Sequence, residues 1–260
     1  MTYKVQSKFL VPNEHPNRCG IKLTNILGLV IHWTANTSNG ADDIANVRYF
    51  GRQYEKDNGR WEEINTNDPF RYGSAHYIVD QDSIQLSIPE DEVAYHVGAK
   101  TYTNFAKQKF TQNGICKPNY FTIGIEMCVN KDNDWDKTVE LTAELASDIM
   151  LRYKLNIDQI IRHYDITGKI CPKPYVDNPK AWSDFKALVA KKIKQKTIAE
   201  VINLFKDSNK VSAFAKSSVE KLEKIGLIKG DNNGNFNPKN PINREEFAVV
   251  IDRLIKYLGK

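Results

Sequence analysis

The chain has 260 residues, of which 41% are hydrophobic and 27% charged, with a formal net charge of +5 at pH 7. This length predicts one large or two smaller domains, and the composition excludes disordered and membrane-embedded proteins. The longest apolar run, residues 27–33, is far too short to cross a bilayer, so no membrane insertion is expected. The N-terminal segment has no signal-peptide core, which predicts synthesis in the cytoplasm and release by a route other than general secretion.

The charge is distributed unevenly along the chain. Residues 179–260 carry 17 Lys and Arg against 9 Asp and Glu, a net charge of +8, whereas residues 1–178 carry a net charge of −3. This asymmetry predicts two parts with different partners. Nucleic acid is the first partner to consider for a basic segment, but aromatic and basic residues do not alternate here. We therefore expect another polyanion and no nucleic acid.

The first 190 residues predict alternating strands and helices. The segment 25–33 is short, apolar and rich in branched residues, which predicts a buried strand ending at His32. Further predicted elements are a helix over 39–54, a hairpin joining 75–79 to 83–88, a strand over 121–129, a helix over 138–155, a strand over 160–162 and a helix over 182–193. This order indicates an α/β domain over residues 1–190.

The remaining residues predict a small all-α module. A basic segment over 191–204, the end of a helix leading into a linker, separates it from the α/β domain. Helices are predicted over 197–205, 214–225 and 245–258. A cluster of turn-forming residues over 229–238 separates the last two. The module proper is expected over 205–260.

Two histidines and one cysteine could hold a metal ion. His32 lies at the end of a strand, and His163 and Cys171 lie eight residues apart on one predicted loop. Gly168 would let that loop fold back so that both side chains reach one ion. Two His and one Cys would leave the fourth position of a zinc ion open, as catalytic zinc sites require. The spacing alone also fits two structural residues with no metal.

Five ordered motifs resemble the zinc-dependent N-acetylmuramoyl-L-alanine amidases of the type-2 family over about residues 20–190. They are Ile31-His-Trp-Thr-Ala35, Ser74-Ala-His-Tyr-Ile-Val-Asp80, Ala94-Tyr-His-Val-Gly98, Ile123-Gly-Ile-Glu-Met127 and His163-Tyr-Asp-Ile-Thr-Gly-Lys-Ile-Cys-Pro172. The resemblance implies a mixed central sheet flanked by helices. It also implies hydrolysis of the amide bond between N-acetylmuramic acid and L-alanine in peptidoglycan.

The resemblance assigns roles residue by residue. His32, His163 and Cys171 match the zinc ligands, Glu126 matches the carboxylate that polarises the zinc-bound water, and Lys169 matches the cation facing the oxyanion. Without the resemblance, the last two would be an ordinary carboxylate at the sheet rim and a solvated loop lysine.

The predicted cleft departs from the family at one position, and it contains two further histidines. Some relatives place a catalytic Tyr where this chain has Ala75, so the role of base falls on Glu126. His76 and His96 are predicted to bind substrate, with a packed structural role as the alternative for His76.

Residues from about 205 to 258 resemble one surface-layer homology (SLH) repeat. The matching motifs are Phe205-Lys-Asp207, Val219 to Gly226, Ile228-Lys-Gly230, Asn235-Phe-Asn-Pro238 and Ile242-Asn-Arg-Glu-Glu-Phe247. The family typically has Thr-Arg-Ala-Glu where this chain has Asn243-Arg-Glu-Glu246. Such repeats bind secondary cell-wall polymers, which predicts Arg244 as a wall-binding residue and homo-oligomer formation through the module. A helical bundle used only for self-association is the alternative.

The combined prediction is a phage endolysin that lyses a Gram-positive host. A bacterial autolysin or sporulation amidase would have the same chemistry. A non-catalytic peptidoglycan-binding protein would keep the groove but lose the metal-binding cysteine, and Cys171 is present.

Overall fold

The computed structural model describes residues 3–13, 15–23, 25–52, 54–57, 60–63, 73–202 and 205–259, with only the backbone described for 52, 54–57, 60–63 and 198–202. The chain divides into two compact units, residues 1–192 and 193–260. The strands are β1 Val5–Gln6, β2 Gly28–Trp33, β3 Tyr54–Asp57, β4 Arg60–Glu63, β5 Tyr77–Val79, β6 Ile84–Leu86, β7 Thr111–Gln112, β8 Ile115–Cys116, β9 Thr122–Met127 and β10 Ile160–Arg162. The helices are α1 Asp43–Arg52, α2 Asn104–Lys109, α3 Trp135–Arg152, α4 His163–Thr167, α5 Lys173–Asp177, α6 Pro179–Ile202, α7 Lys216–Lys224 and α8 Arg244–Leu258.

The first unit is built on a six-stranded mixed sheet with the strand order β1-β6-β5-β9-β2-β10. Among the described strands of this sheet, only β5 and β6 pair in antiparallel orientation, and they form the predicted hairpin. The central strands β2 and β9 are almost continuously apolar because helices cover the sheet. Leu29, Val30 and Ile31 of β2 and Ile123 and Ile125 of β9 are fully buried. The predicted mixed sheet flanked by helices is confirmed.

The short helices α2 and α5 were not predicted, and the helices around His163 and after residue 193 also differ from the prediction. The segment after β10 begins a short helix, α4, at His163 itself, where the sequence predicts a loop. Helix α6 runs without interruption to Ile202, where the sequence predicts one helix ending at residue 193 and another beginning at 197. The basic stretch in between contains neither Gly nor Pro, so nothing in it terminates a helix.

The second unit packs a small core of its own. Phe205, Val211 and Val219 are buried together, and Ile228 and Phe236 pack against them. A Cβ atom at Gly230 would lie 2.9 Å from the Phe205 ring, so glycine is needed for this close approach. No helix in the described part of either unit is long and apolar enough to span a membrane.

Candidate metal centre and active site

The three predicted ligands meet at the carboxyl edge of the sheet. His32 lies near the end of β2, and His163 directly follows the neighbouring parallel strand β10. The Nδ1 atoms of the two histidines are 3.1 Å apart, and the Cys171 Sγ lies 3.7 Å from the His32 Nδ1. All three side chains are buried, and their candidate ligand atoms lie within 4.8 Å of one another. Strand ends at this edge of a parallel sheet commonly carry a binding site.

A tight turn returns Cys171 to His163. Gly168 ends α4 with a φ of +80°, and its N–H donates to the Tyr164 carbonyl at 2.8 Å. The Tyr164 N–H in turn donates to the Cys171 carbonyl at 2.9 Å. A left-handed residue at this position favours glycine, and it turns the chain back as the sequence predicts.

The electrostatics of the cluster suit a metal ion. Burial, with the Lys169 charge adding to it, lowers the pKa of His163 to about 4. Burial also holds the pKa of His32 well below its ordinary value, so both imidazoles are neutral at pH 7. Burial raises the pKa of the Cys171 thiol to about 12, and a dication would offset this by stabilising the thiolate. Two neutral imidazoles and one thiolate with an open fourth position fit zinc.

Glu126 faces the cluster from the adjacent strand. It lies opposite His32 in the β2–β9 register, with its Oε1 3.9 Å from the His32 Nδ1. Burial raises its pKa to about 8, and the positive charge of Lys169 opposes this shift. Its Oε2 is buried and has no hydrogen-bond partner among the described residues, although 17% of the side chain is exposed. The carboxyl group therefore keeps an acceptor atom available beside the cluster.

Lys169 contributes positive charge from the loop between Gly168 and Cys171. Its side chain is exposed, yet its charge lowers the pKa of both Glu126 and His163. The ammonium group therefore acts on the cluster without being buried in it.

Comparison with known proteins identifies the family. A model described as N-acetylmuramoyl-L-alanine amidase matches residues 22–174, more than half of the chain. The chain belongs to the N-acetylmuramoyl-L-alanine amidase family. A second model, the S-layer homology domain, matches residues 204–248.

Individual relatives agree with both matches. A probable N-acetylmuramoyl-L-alanine amidase of Bacillus licheniformis is 35% identical over 230 residues, which are 87% of this chain and 55% of that protein. A mutant endolysin from Bacillus subtilis superimposes with a TM-score of 0.54 at 25% identity, covering 72% of this chain and 99% of that one. The surface-layer 125 kDa protein of Lysinibacillus sphaericus is 41% identical over 70 residues, 27% of this chain and 6% of that protein. The chain spans about half the length of the curated amidases it matches.

In this amidase-family domain, His76 and His96 are buried beside the cluster. The Nε2 of His76 lies 2.8 Å from the Glu92 carbonyl, and its Nδ1 accepts from the Gly124 N–H at 2.9 Å. The Nδ1 of His96 lies 2.9 Å from the Nε2 of His32. Both rings thus bond protein atoms, and their role in substrate binding stays a prediction. The sequence analysis missed the contact between His96 and His32.

The S-layer homology segment places Arg244 on the surface at the start of α8. Asn243 and Glu246 flank it and form a capping box, in which each side chain bonds the other's backbone N–H. A groove of about 610 Å³ lies nearby, and Lys229 and Arg253 are among its lining residues. Arg244 is not among the described residues that line this groove. Its role in wall binding stays a prediction.

Replacing Cys171 with Ser should remove most of the affinity for zinc, because a hydroxyl is a far poorer zinc ligand than a thiolate. Metal analysis of the purified variant after dialysis measures this. Cys128→Ser is the matched control, since Cys128 is also buried but does not belong to the cluster. Full zinc occupancy in Cys171→Ser would contradict the ligand assignment.

Proposed function

We propose that the chain is a zinc-dependent peptidoglycan amidase that hydrolyses the amide bond between N-acetylmuramic acid and L-alanine. The observation that carries the proposal is the convergence of His32, His163 and Cys171 opposite Glu126, in a chain of the amidase family. A non-catalytic peptidoglycan-binding protein would have no use for this donor set.

The cluster supplies each part of a hydrolytic reaction. Zinc held by His32, His163 and Cys171 would polarise the amide carbonyl and lower the pKa of a water molecule. Glu126 takes the proton from the attacking water and passes it to the departing amine nitrogen. Its pKa of about 8 belongs to the metal-free chain, and a neighbouring dication would lower it, so that the carboxylate is ionised at neutral pH.

Lys169 stabilises the charge that develops on the carbonyl oxygen. The electrostatic effect of its ammonium group on Glu126 and His163 supports this role. Because the side chain is exposed, it can move toward the substrate when the scissile amide binds.

The reaction has a chemical signature that tests the proposal directly. Amide hydrolysis releases free amino groups on L-alanine from purified Gram-positive walls and creates no new reducing sugar ends. A glycosidase would do the opposite. We expect this release to stop with a chelator and to return when zinc is added.

For the biological role, we propose an endolysin, made in the host cytoplasm and released to the wall when the membrane is permeabilised. The similarity to an endolysin from Bacillus subtilis supports this role. Lysis that follows permeabilisation and is absent without it, when the chain is expressed inside a Gram-positive host, is the expected behaviour. An autolysin or sporulation amidase remains the alternative role for the same active site.

The second unit is proposed to bind a secondary cell-wall polymer. The S-layer homology match and the similarity to a surface-layer protein support this function. Residues 193–260 carry 13 Lys and Arg against 8 Asp and Glu, and this net charge of +5 suits an anionic polymer.

Helix α8 also suggests that two or more copies associate. Phe247, Ile251, Ile255 and Leu258 lie on one face at helical spacing, and each is more than one third exposed. No side chain of α8 is buried in the described part of the chain. Association of copies through this stripe would raise the avidity of a single repeat.

Glu126→Gln should retain zinc and the fold but lose turnover by about 10²–10⁴-fold, because an amide cannot accept the proton. Release of alanine amino groups from purified walls measures the rate, and metal analysis confirms zinc. Glu140→Gln is the control, since Glu140 lies on α3 and pairs with Lys192 away from the cluster. Near-normal turnover in Glu126→Gln would mean that another group is the base.

Arg244→Gln in the full chain should weaken binding to purified walls by about tenfold, the loss expected for one charge-assisted hydrogen-bonded contact. A pelleting assay measures the bound fraction, which should also fall with added salt. Lys256→Gln removes the same charge from the other end of α8 and should have little effect. Equal losses in the two variants would show that only net charge matters.

Ile255→Asp should shift the chain toward monomer in sedimentation velocity, because a carboxylate would be buried in the stripe. Tyr257→Asp makes a comparable change off the stripe and should leave the association unchanged. A purely monomeric unmodified chain at high concentration would contradict the proposal.

A further inference from the structure

A second group of buried side chains lies behind His32, on the side away from the ligand atoms. The His32 ring presents its Nδ1 to His163 and Cys171, and its Nε2 to the Nδ1 of His96 at 2.9 Å. The two rings meet edge-on, at an interplanar angle of 82°. Only 8% of His96 is exposed. The Asn119 side chain holds the backbone of His96, accepting its N–H at 3.2 Å.

The hydrogen bonds around His96 determine where its proton lies. Its Nε2 is 3.3 Å from the Thr122 carbonyl and 3.2 Å from the Thr122 hydroxyl. That hydroxyl donates its hydrogen to the Pro118 carbonyl at 2.9 Å, so it can only accept from His96. The Nε2 of His96 therefore carries the hydrogen, and its Nδ1 offers a lone pair.

The position of the hydrogen on His96 determines the position of the hydrogen on His32, the candidate metal ligand. The lone pair on the His96 Nδ1 accepts a hydrogen from the Nε2 of His32. A neutral imidazole has only one N–H, so the Nδ1 of His32 is left as a bare lone pair. That atom is the one that faces His163 and Cys171. The chain of bonds from Thr122 through His96 thus prepares His32 to bind a cation.

Gly124 makes room for this contact. A Cβ atom at Gly124 would lie 2.6 Å from the His96 Nδ1 and 2.7 Å from its Cγ, distances that real Cβ contacts do not show. The missing side chain lets the His96 ring lie directly over β9, two residues before Glu126. A glycine here is needed for the position of a ring rather than for backbone conformation.

We propose that His96 is a positioning residue that fixes the tautomer and ring orientation of His32 for zinc binding, with Thr122 and Gly124 holding His96 in place. This inference rests on the zinc site proposed above. A second hydrogen bond to a metal-ligating histidine is general in metalloproteins, and its loss costs about 10–100-fold in metal affinity.

Zinc affinity of the full chain, measured by competition with a chromophoric chelator, tests the proposal. His96→Leu should bind zinc about 10–100-fold more weakly. His96→Asn should stay close to the unmodified chain, because its amide oxygen can take the place of the Nδ1 acceptor. Gly124→Ala should resemble His96→Leu, since the added methyl displaces the ring.

His15→Leu is the matched control. His15 is at least as buried as His96, but its Nδ1 accepts the Asn17 N–H rather than a hydrogen from His32. This variant should keep its zinc affinity even if it loses some thermal stability. If His15→Leu and His96→Leu lose affinity equally, His96 has only a packing role and the inference is wrong.

A measurement without metal separates this inference from the proposed function. Long-range ¹H–¹⁵N spectra of the metal-free chain should show His32 with its hydrogen on Nε2, and His96→Leu should lose this preference. An Nδ1–H tautomer of His32 in the unmodified chain would overturn the inference. A chain with the expected tautomer and no zinc affinity would overturn the proposed function and leave the inference about His96 supported.

Discussion

The candidate metal centre depends on the parallel, in-register pairing of β2 between β9 and β10. This pairing sets His32 opposite Glu126 and brings the ends of β2 and β10 to one edge, where His163 begins α4. Side chains alternate between the faces of a strand, so a slip of one residue would send His32 to the other face of the sheet. Such a slip would also break the register that sets His32 opposite Glu126.

Burial at this edge of the sheet disfavours the charged forms of the candidate ligands and of Glu126. Two histidines, a thiol and a carboxyl group lie together in buried positions, and desolvation shifts the pKa of each toward its neutral form. The two neutral histidines are already in the form that binds metal. The thiol and the carboxyl group are not, and they would gain most from a nearby cation. A bound dication should therefore stabilise the folded chain as well as supply chemistry.

The sequence predicted much of this fold because its signals are local. Apolar runs identified β2, β9 and β10, and turn residues identified the hairpin of β5 and β6. The Gly168 turn was also predictable, since glycine readily adopts a positive φ. The helical start at His163 was missed, because a single turn of helix has no periodicity to detect.

The hydrogen bonds behind the metal centre could not be predicted in this way. His96 and His32 are 64 residues apart, and no local pattern pairs them. The same holds for Gly124, whose role depends on a ring from a distant loop. Motifs in the amidase family indicated that these residues matter, but only the packed structure shows which atoms they touch. Contacts between residues that are distant in sequence depend on the packed fold, and the hydrophobic periodicity of a segment does not predict them.

The capping box at α8 changes how its four-residue motif should be understood. The side chains of Asn243 and Glu246 each accept a hydrogen bond from the other residue's backbone N–H, so they specify where the helix starts. Asn serves this purpose as well as Thr, which explains why the first position can differ from the family pattern without harm. Only the side chains of the two middle positions, Arg244 and Glu245, are left to contact a ligand. Half of this four-residue motif therefore sets the start of a helix, and a match at those two positions is evidence for a helix boundary rather than for a ligand.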